Sequence, residues 1–284
     1  MGRESSETIE AQIAGFWETH PCGDQLVAEN LDDYSNFFSA YDALRYRTEG
    51  HILRCLDDLP LADRRTLEIG LGQGADSEQL IRRGAIWSGL DLTEESVSRV
   101  RLRMRLRDLP HEAIKQGSVL GIPYASGSFD LVYSHGVLHH VPDVTQAQRE
   151  IHRVLKPDGT LVVMLYAKYS LNYLLSIYLI RRFGILALAA RGKASGIYLE
   201  HLTKAREVGL TRYLRMRNFI HHNTDGPHNP YSKVYTAAGV RRDFPAFEVV
   251  RLHKEFMHAP PLPVHGWPGS NLLGWHLWAH MVPR

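Results

Sequence analysis

The chain contains an apolar segment that ends on an acid and is followed by glycine at every second position. It reads Leu67-Glu68-Ile69-Gly70-Leu71-Gly72-Gln73-Gly74, and Asp91 follows 17 residues after the last glycine. Glycines allow the backbone to approach a ligand closely, and an acid at the carboxyl end of a strand accepts hydrogen bonds from ribose hydroxyls. The segment therefore predicts a strand-to-helix turn beneath a nucleotide-like cofactor.

The glycine spacing leaves two kinds of cofactor open. Gly70, Gly72 and Ala75 also fit the dinucleotide pattern G-x-G-x-x-G/A. A dinucleotide carries an anionic pyrophosphate that binds at a helix N-terminus, whereas S-adenosylmethionine carries a sulfonium cation. Glu68, directly before the glycines, favours the cationic ligand. The alternative is that Glu68 only accepts hydrogen bonds from backbone amides of the turn.

Three further motifs follow in a fixed order. They are His135-Gly136-Val137-Leu138-His139-His140-Val141-Pro142-Asp143, then Arg153-Val154-Leu155-Lys156-Pro157-Asp158-Gly159, then the strand-like run 160–165. Together with the glycine turn and Asp91, this order resembles the class I S-adenosylmethionine-dependent methyltransferases. Within them it is most similar to the small-molecule enzymes whose fourth strand leads into a V-L-H-H-x-P segment. The resemblance covers residues 64–168.

The resemblance implies an α/β fold with a doubly wound, seven-stranded Rossmann-like sheet and an antiparallel last strand. It also implies four parts: an N-terminal helical cap at 1–63, the cofactor-binding core at 64–168, a helical insertion after the fifth strand at 169–234, and the rest of the core sheet at 235–284. The last helix is expected at 236–244, the sixth strand at 247–256 and the seventh at 275–282.

The resemblance also assigns cofactor contacts. Glu68, Gly70, Gly72 and Gly74 would form the loop beneath the methionine part, and Asp91 would hold the ribose hydroxyls. The other expected contacts are Leu92, Gly117, Ser118 and Val119 about the adenine, Ser134 and His135 after the fourth strand, and Tyr46 in the cap. Many relatives carry an acid where this chain has Ser118, and a hydroxyl is able to donate or accept there. In the cap, four residues are expected to contact the methionine carboxylate or close the site, or else only to pack the cap: Tyr34, Tyr41, Arg45 and Tyr46.

Two groups of polar residues are candidates for chemistry on the acceptor. His139 and His140 follow the fourth strand, and imidazole accepts a proton near neutral pH, so either is a candidate general base. The alternative is a structural role for both rings. A polar loop further on supplies the expected acceptor contacts Tyr231, Lys233, Tyr235 and His222. A zinc site from His221, His222 and His228 lacks a matched fourth ligand, so no metal is expected.

The insertion is strongly apolar between Leu171 and Ala190. Helices are expected at 171–183 and 199–217, and three roles stay open: a cover over the acceptor pocket, a core or dimer helix, and contact with a membrane surface. Arg181 and Arg182 interrupt the apolar run, so no transmembrane segment is expected.

Arginine alternates with apolar residues from Arg99 to Arg107. The position of this run after Asp91 and Glu94-Glu95 predicts the helix that follows the second strand. The arginines are expected to form its solvated face.

Composition narrows the class of protein. The 284 residues carry a formal net charge of +2, too small for the dense basic face of a nucleic-acid binder. Two cysteines, Cys22 and Cys55, predict a reducing compartment and no disulfide framework. The first 15 residues lack an apolar secretory core, so a cytoplasmic protein is expected.

The function implied by the resemblance is methyl transfer from S-adenosylmethionine to a small acceptor. The acceptor is expected to be apolar or aromatic, natural-product-like or lipid-like, and methylated on oxygen or carbon. Alternatives are a fold relative that binds the cofactor but catalyses a cyclisation, and a nucleic-acid methyltransferase. A homodimer is a further possibility that the insertion leaves open.

Overall fold

The computed structural model describes residues 3–21, 23–24, 27, 32–192 and 194–284. Cys22 lies outside this set, and Cys55 is a free, buried thiol. The strands are β1 (Arg65–Ile69), β2 (Ile86–Asp91), β3 (Ala113–Gln116), β4 (Phe129–His135), β5 (Leu155–Tyr166), β6 (Phe247–Glu255) and β7 (His276–Pro283). They form one seven-stranded sheet in the order β3-β2-β1-β4-β5-β7-β6. Strands β1 to β5 pair in parallel and β7 is antiparallel to both neighbours, so the predicted fold is confirmed.

Helices cover both faces of the sheet, some before the first strand and others between successive strands. They are α1 (Arg3–Thr19), α2 (Tyr34–Thr48), α3 (His51–Asp57), α4 (Ala75–Arg82), α5 (Glu94–Leu106), α6 (Val144–Val154), α7 (Asn172–Arg191), α8 (Ile197–Val208), α9 (Leu210–Tyr213), α10 (Met216–Phe219), α11 (His221–Thr224), α12 (Ala237–Asp243) and α13 (Ser270–Leu273). Side-chain caps fix several starts: Asp33, Thr93, Asp143 and Thr236 each accept a hydrogen bond from a first-turn amide.

The central strands are buried on both sides, as expected when helices cover both faces of a parallel sheet. Leu67, Val132 and Leu161 pack into the core on one face, and Leu131 and Val162 pack into the core on the other. Register along β4 and β5 shifts so that Phe129 pairs with Leu155 and Leu131 with Thr160. The Lys156-Pro157-Asp158-Gly159 turn is therefore a bulge within β5 rather than a segment before it.

The solvated face predicted for the arginines of α5 is wrong at two positions. Arg103 is completely buried, where it donates to Glu78 at 3.0 Å and forms an ion pair with Asp42 of α2. Arg99 is also buried and pairs with Asp24. These two arginines lie one helical turn apart on the side that faces the cap, and acids from the cap and α4 neutralise them.

The insertion differs from the predicted pair of helices. Helix α7 runs without a break for 20 residues, through a wider π-helical half at Asn172–Arg181. Gly209, with φ of +86°, ends α8, so short helices replace the rest of the predicted 199–217 helix. By length and composition alone, α7 is apolar enough to cross a membrane, with a mean hydropathy of 1.5 over its best window.

Candidate functional site

A cavity of about 260 Å³ opens at the carboxyl ends of the parallel strands. This is the edge where ligands bind in doubly wound sheets. Among the positions predicted from sequence, it is lined by Glu68, Gly70, Gly72, Asp91, Leu92, Gly117, Val119, His135 and His140. The lining does not include the predicted positions Gly74, Ser118, Ser134, Tyr46, His139, Tyr231, Lys233, Tyr235 and His222.

The glycine loop after β1 leaves room for a ligand. Gly72 has φ of +51°, and a Cβ placed there would have no heavy atom within 4 Å among the described residues. Gly70, with φ of +82°, lies so close to Val137 that a Cβ would clash at 2.0 Å. Gly74 starts α4 and packs against Val100 of α5. The loop thus presents an open cradle at Gly72, which fits a cofactor lying across the turn.

Asp91 ties this loop to the end of β2. Its carboxylate accepts hydrogen bonds from the Leu71 amide at 2.6 Å, the Thr93 amide at 2.9 Å and the Thr93 hydroxyl at 2.8 Å. Burial raises the pKa of Asp91, and the backbone amides of Thr93 and Leu71 oppose that rise. Its contact with ribose hydroxyls stays a prediction, and Asp91 also has a structural role that the sequence did not reveal.

Glu68 is buried beneath the same loop. The indole Nε1 of Trp87 donates to its Oε2 at 2.9 Å. Burial raises the pKa of Glu68 to about 8, because an ionised carboxylate loses its hydration there. A pKa near 8 favours the protonated carboxyl at neutral pH, and a cation beside Glu68 would favour its ionised form.

A buried acid that the motifs did not single out organises the far wall of the cavity. Asp76, in the first turn of α4, accepts hydrogen bonds from Arg45 at 3.1 and 2.9 Å, from Tyr46 at 3.2 Å and from Tyr133 at 3.1 Å. Burial would raise the pKa of Asp76, but the charge interactions with Arg45 and His135 and the hydrogen bonds from Arg45 and Tyr133 together lower it to about 2. The Arg45 guanidinium also lies 3.4 Å from Nδ1 of His135. Arg45 and Asp76 thus place a fixed ion pair in the cavity wall.

Two other predicted cofactor positions face protein groups. The Ser118 hydroxyl is paired with Glu10 of α1 and accepts the Leu120 amide at 2.9 Å. The Ser134 hydroxyl donates to the Ile69 carbonyl at 3.1 Å. Since Glu10 itself lines the cavity, α1 supplies an acid beside the predicted adenine edge.

The two neighbouring histidines occupy different environments. His139 is fully buried, its ring lies 3.8 Å from that of Tyr166, and neither ring nitrogen has a hydrogen-bond partner among the described residues. Burial lowers its pKa well below the usual range, so it is neutral. His140 lines the cavity, and its Nδ1 lies 2.8 Å from the carbonyl oxygen of Tyr231.

An acid from the distant polar loop meets His140 in the cavity. Oδ2 of Asp225 lies 3.4 Å from Nε2 of His140, and the Tyr166 hydroxyl donates to Oδ1 of Asp225 at 2.8 Å. Nε2 is buried and makes no hydrogen bond to any residue that the structure describes. Sequence analysis placed this loop near the pocket but did not identify Asp225, because only the fold brings it to His140.

The four predicted acceptor contacts occupy a layer behind the cavity wall. Lys233 pairs with Asp243, Tyr235 is buried, and His222 stacks on Tyr213 with ring centroids 5.2 Å apart. Tyr231 contributes its backbone carbonyl to His140. Their roles toward an acceptor stay predictions. Among the described residues no group of three or more histidine, cysteine, aspartate or glutamate side chains is arranged to hold a metal ion.

Comparison with known proteins independently indicates a methyltransferase domain. A model of the methyltransferase domain family matches residues 67–163. The chain is 30% identical over 149 residues to 27-O-demethylrifamycin SV methyltransferase of Amycolatopsis mediterranei, covering 49% of this chain and 52% of that protein. It is 31% identical over 186 residues to ubiquinone biosynthesis O-methyltransferase of Thiobacillus denitrificans, covering 62% and 73%. The chain spans about half the length of the first curated relatives it matches.

Two solved structures share the fold. An S-adenosylmethionine-dependent methyltransferase from Thermotoga maritima, described as a possible histamine N-methyltransferase, aligns with a TM-score of 0.51 at 17% identity, over 92% of this chain and all of that one. The 4+2 cyclase SpnF aligns with a TM-score of 0.53 at 16% identity, over 86% and 81%. At these identities the likeness concerns the fold alone.

Proposed function

Because this chain belongs to the class I S-adenosylmethionine-dependent methyltransferases, we propose that it methylates an oxygen or carbon of a small apolar acceptor bound beside His140. Its cofactor is S-adenosylmethionine. The observation that carries the proposal is the position of His140 and Asp225 in the wall of the cavity that the glycine loop and Asp91 also line.

The residues of the cradle fit this cofactor. Glu68 and Asp91 supply acidic groups to the cavity lining, and the absence of a side chain at Gly72 leaves open space in the loop. Leu92 and Val119 offer apolar walls for a base. When bound, S-adenosylmethionine supplies an electrophilic methyl group on a sulfonium, which reacts by in-line displacement.

The wall around His140 favours an apolar or aromatic acceptor. Ile13 and Trp17 of α1, Val141 and Tyr166 surround it in the cavity lining. Trp17 lies edge-on to the His140 ring, with centroids 5.4 Å apart. Aromatic and aliphatic side chains contribute binding through burial of apolar surface, while a few polar groups fix orientation.

His140 is the proposed general base. A carbonyl oxygen only accepts, so the hydrogen bond to Tyr231 requires a proton on Nδ1, and in the neutral ring the lone pair is then on Nε2. An acceptor hydroxyl or acidic C–H group would lose its proton to Nε2. The carboxylate of Asp225, 3.4 Å away, stabilises the imidazolium that forms, and Tyr166 holds that carboxylate in place. His139 lacks such a position, since its ring faces Tyr166 rather than the cavity.

The test is turnover on a panel of phenols, catechols and enolisable dicarbonyl compounds that carry alkyl chains. Formation of S-adenosylhomocysteine and a product heavier by one methylene, detected by mass spectrometry, would support the proposal. The H140A variant is expected to lose about 10²- to 10⁴-fold in kcat, the usual contribution of a general base. Its affinity for S-adenosylhomocysteine should change less than about threefold, since the base acts on the acceptor and not on the cofactor.

The control is H228A. His228 lies in the polar loop that also contains Asp225, but it is exposed and pairs with Glu200 outside the cavity. The control variant should keep full turnover. The base assignment is wrong if H140A retains kcat. The proposed reaction is wrong if the panel is consumed without S-adenosylhomocysteine, as a cyclase would do.

A further inference from the structure

The insertion exposes large apolar side chains on two adjoining helices. On α7, Leu179, Phe183 and Leu186 are 42, 60 and 45% exposed, and their spacing of four and three residues places them on one side of the helix. Ile197, Tyr198 and Leu199, in the first turn of α8, are each about half exposed. We call these six residues the insertion face. Surface patches of this kind mark sites of contact with a partner or a membrane.

Helix α7 lies along the domain and not away from it. Its inner side packs Ile177 and Ile185 into a buried cluster with Leu202 of α8. The Arg181 guanidinium donates to the Asn223 carbonyl at 2.7 Å, two residues before Asp225. These contacts hold α7 against the domain on both sides of its midpoint. The helix axis therefore runs along the protein surface, and the exposed side of the helix faces outward. This orientation suits a helix that lies in the plane of a membrane interface, not one that crosses it.

The insertion is also the most basic part of the chain. Residues 169–234 contain ten of the 33 lysines and arginines but only three of the 31 aspartates and glutamates, in a protein whose net charge is +2. The rest of the molecule is therefore net acidic. Exposed arginines of the insertion are Arg191, Arg206, Arg212, Arg215 and Arg217. Apolar side chains together with arginines in one segment match the acyl boundary and headgroups of an anionic bilayer.

We propose that the insertion face docks this enzyme onto the surface of an anionic lipid bilayer. Phe183 and its apolar neighbours enter the headgroup region, and the arginines contact anionic headgroups. A second copy of the chain is a poorer partner, because a two-fold interface would bring two strongly basic insertions together. A nucleic acid would use the arginines but leave the apolar residues without a role. This docking does not depend on which acceptor is bound or on the proposed reaction.

The experiment is flotation of the full chain with vesicles of phosphatidylcholine alone and of phosphatidylcholine mixed with phosphatidylglycerol. Each lysine or arginine near an anionic surface contributes about 1 kcal/mol, so two engaged arginines alone predict roughly 30-fold stronger partition to the mixed vesicles. The double variant F183Q/L186Q should bind the mixed vesicles about tenfold more weakly, since it removes apolar area and keeps the charge. The variant R215Q/R217Q should reduce both the anionic preference and its salt dependence.

The matched control is L106Q/V250Q. Leu106 at the end of α5 and Val250 on β6 are about as exposed as Phe183 and Leu186 but lie outside the insertion. The control variant should bind as the parent chain does. Circular dichroism and S-adenosylhomocysteine affinity verify that each variant is folded. The proposal is overturned if the parent chain partitions equally to both vesicle types or to neither, or if F183Q/L186Q binds unchanged. A parent dimer that F183Q/L186Q dissociates, without vesicle binding, would identify the face as a subunit interface instead.

Discussion

Glu68 makes the stability of this protein depend on pH in a direction opposite to that of an ordinary paired carboxylate. Folded Glu68 keeps its proton to about pH 8, whereas a glutamate in an unfolded chain loses it near pH 4.3. Between these values the unfolded state binds fewer protons than the folded state, so stability falls as pH rises. The loss is about 1.4 kcal/mol per pH unit, or roughly 3 kcal/mol between pH 5 and pH 7.

The substitution that isolates this effect is E68Q, because glutamine keeps the acceptor for Trp87 Nε1 and cannot ionise. Urea unfolding of both proteins from pH 5 to pH 8 gives the difference in unfolding free energy at each pH. We expect E68Q to gain about 3 kcal/mol relative to the parent chain between pH 5 and pH 7. Other titrating groups cancel in that difference.

The exposed Glu248 provides the control. For E248Q the difference from the parent chain should stay flat over the same range. A flat difference for E68Q would refute the argument, since it would mean that the carboxyl titrates alike in both states. A parent chain that gains stability relative to E68Q as pH rises would show that Glu68 is ionised and stabilised in the fold.

Three more predictions follow from the site. D91A removes the acceptor for the Leu71 amide, so calorimetry should show at least about tenfold weaker S-adenosylhomocysteine binding and thermal unfolding should begin at lower temperature. G72V places a branched side chain at φ of +51° and in the open cradle; we expect more than about tenfold loss of cofactor affinity, with near-ultraviolet circular dichroism retained. H139L replaces a buried ring with unpartnered nitrogens against Tyr166, so unfolding free energy should change by less than about 1 kcal/mol and kcat should be kept. A large fall in kcat for H139L would contradict this prediction and make His139 a candidate for the general base.

The parts of the fold that are set by local sequence were predictable. The strand before Gly70, the glycine turn and Asp91 follow from short-range patterns, because apolar runs and glycines act within a few residues, whereas the seven-stranded topology was implied by the family resemblance. The end of the sheet that carries the cavity follows from topology alone. The difference between His139 and His140 was not predictable, since it depends on which ring the backbone turns toward Tyr166.

Long-range ion pairs were beyond the reach of sequence patterns. The periodicity of α5 gives a helix, but the burial of Arg103 depends on Asp42, 61 residues earlier. Asp76 had a visible signal in its position two residues after Gly74, yet its partner Arg45 comes from the cap. The contact between Asp225 and His140 likewise forms only when the insertion folds back over the core.

The pairing of Arg103 with Asp42 and Glu78 sets a rule for exchanging parts between enzymes of this fold. A cap transplanted from a relative to alter acceptor choice would leave the Arg103 charge half compensated unless it carries an acid at the position of Asp42. Removing one partner of a buried pair costs about 3–5 kcal/mol, a large share of the stability of a domain. Cap and α5 therefore have to be exchanged as one module, whereas the outer side of the insertion can be redesigned at much lower cost.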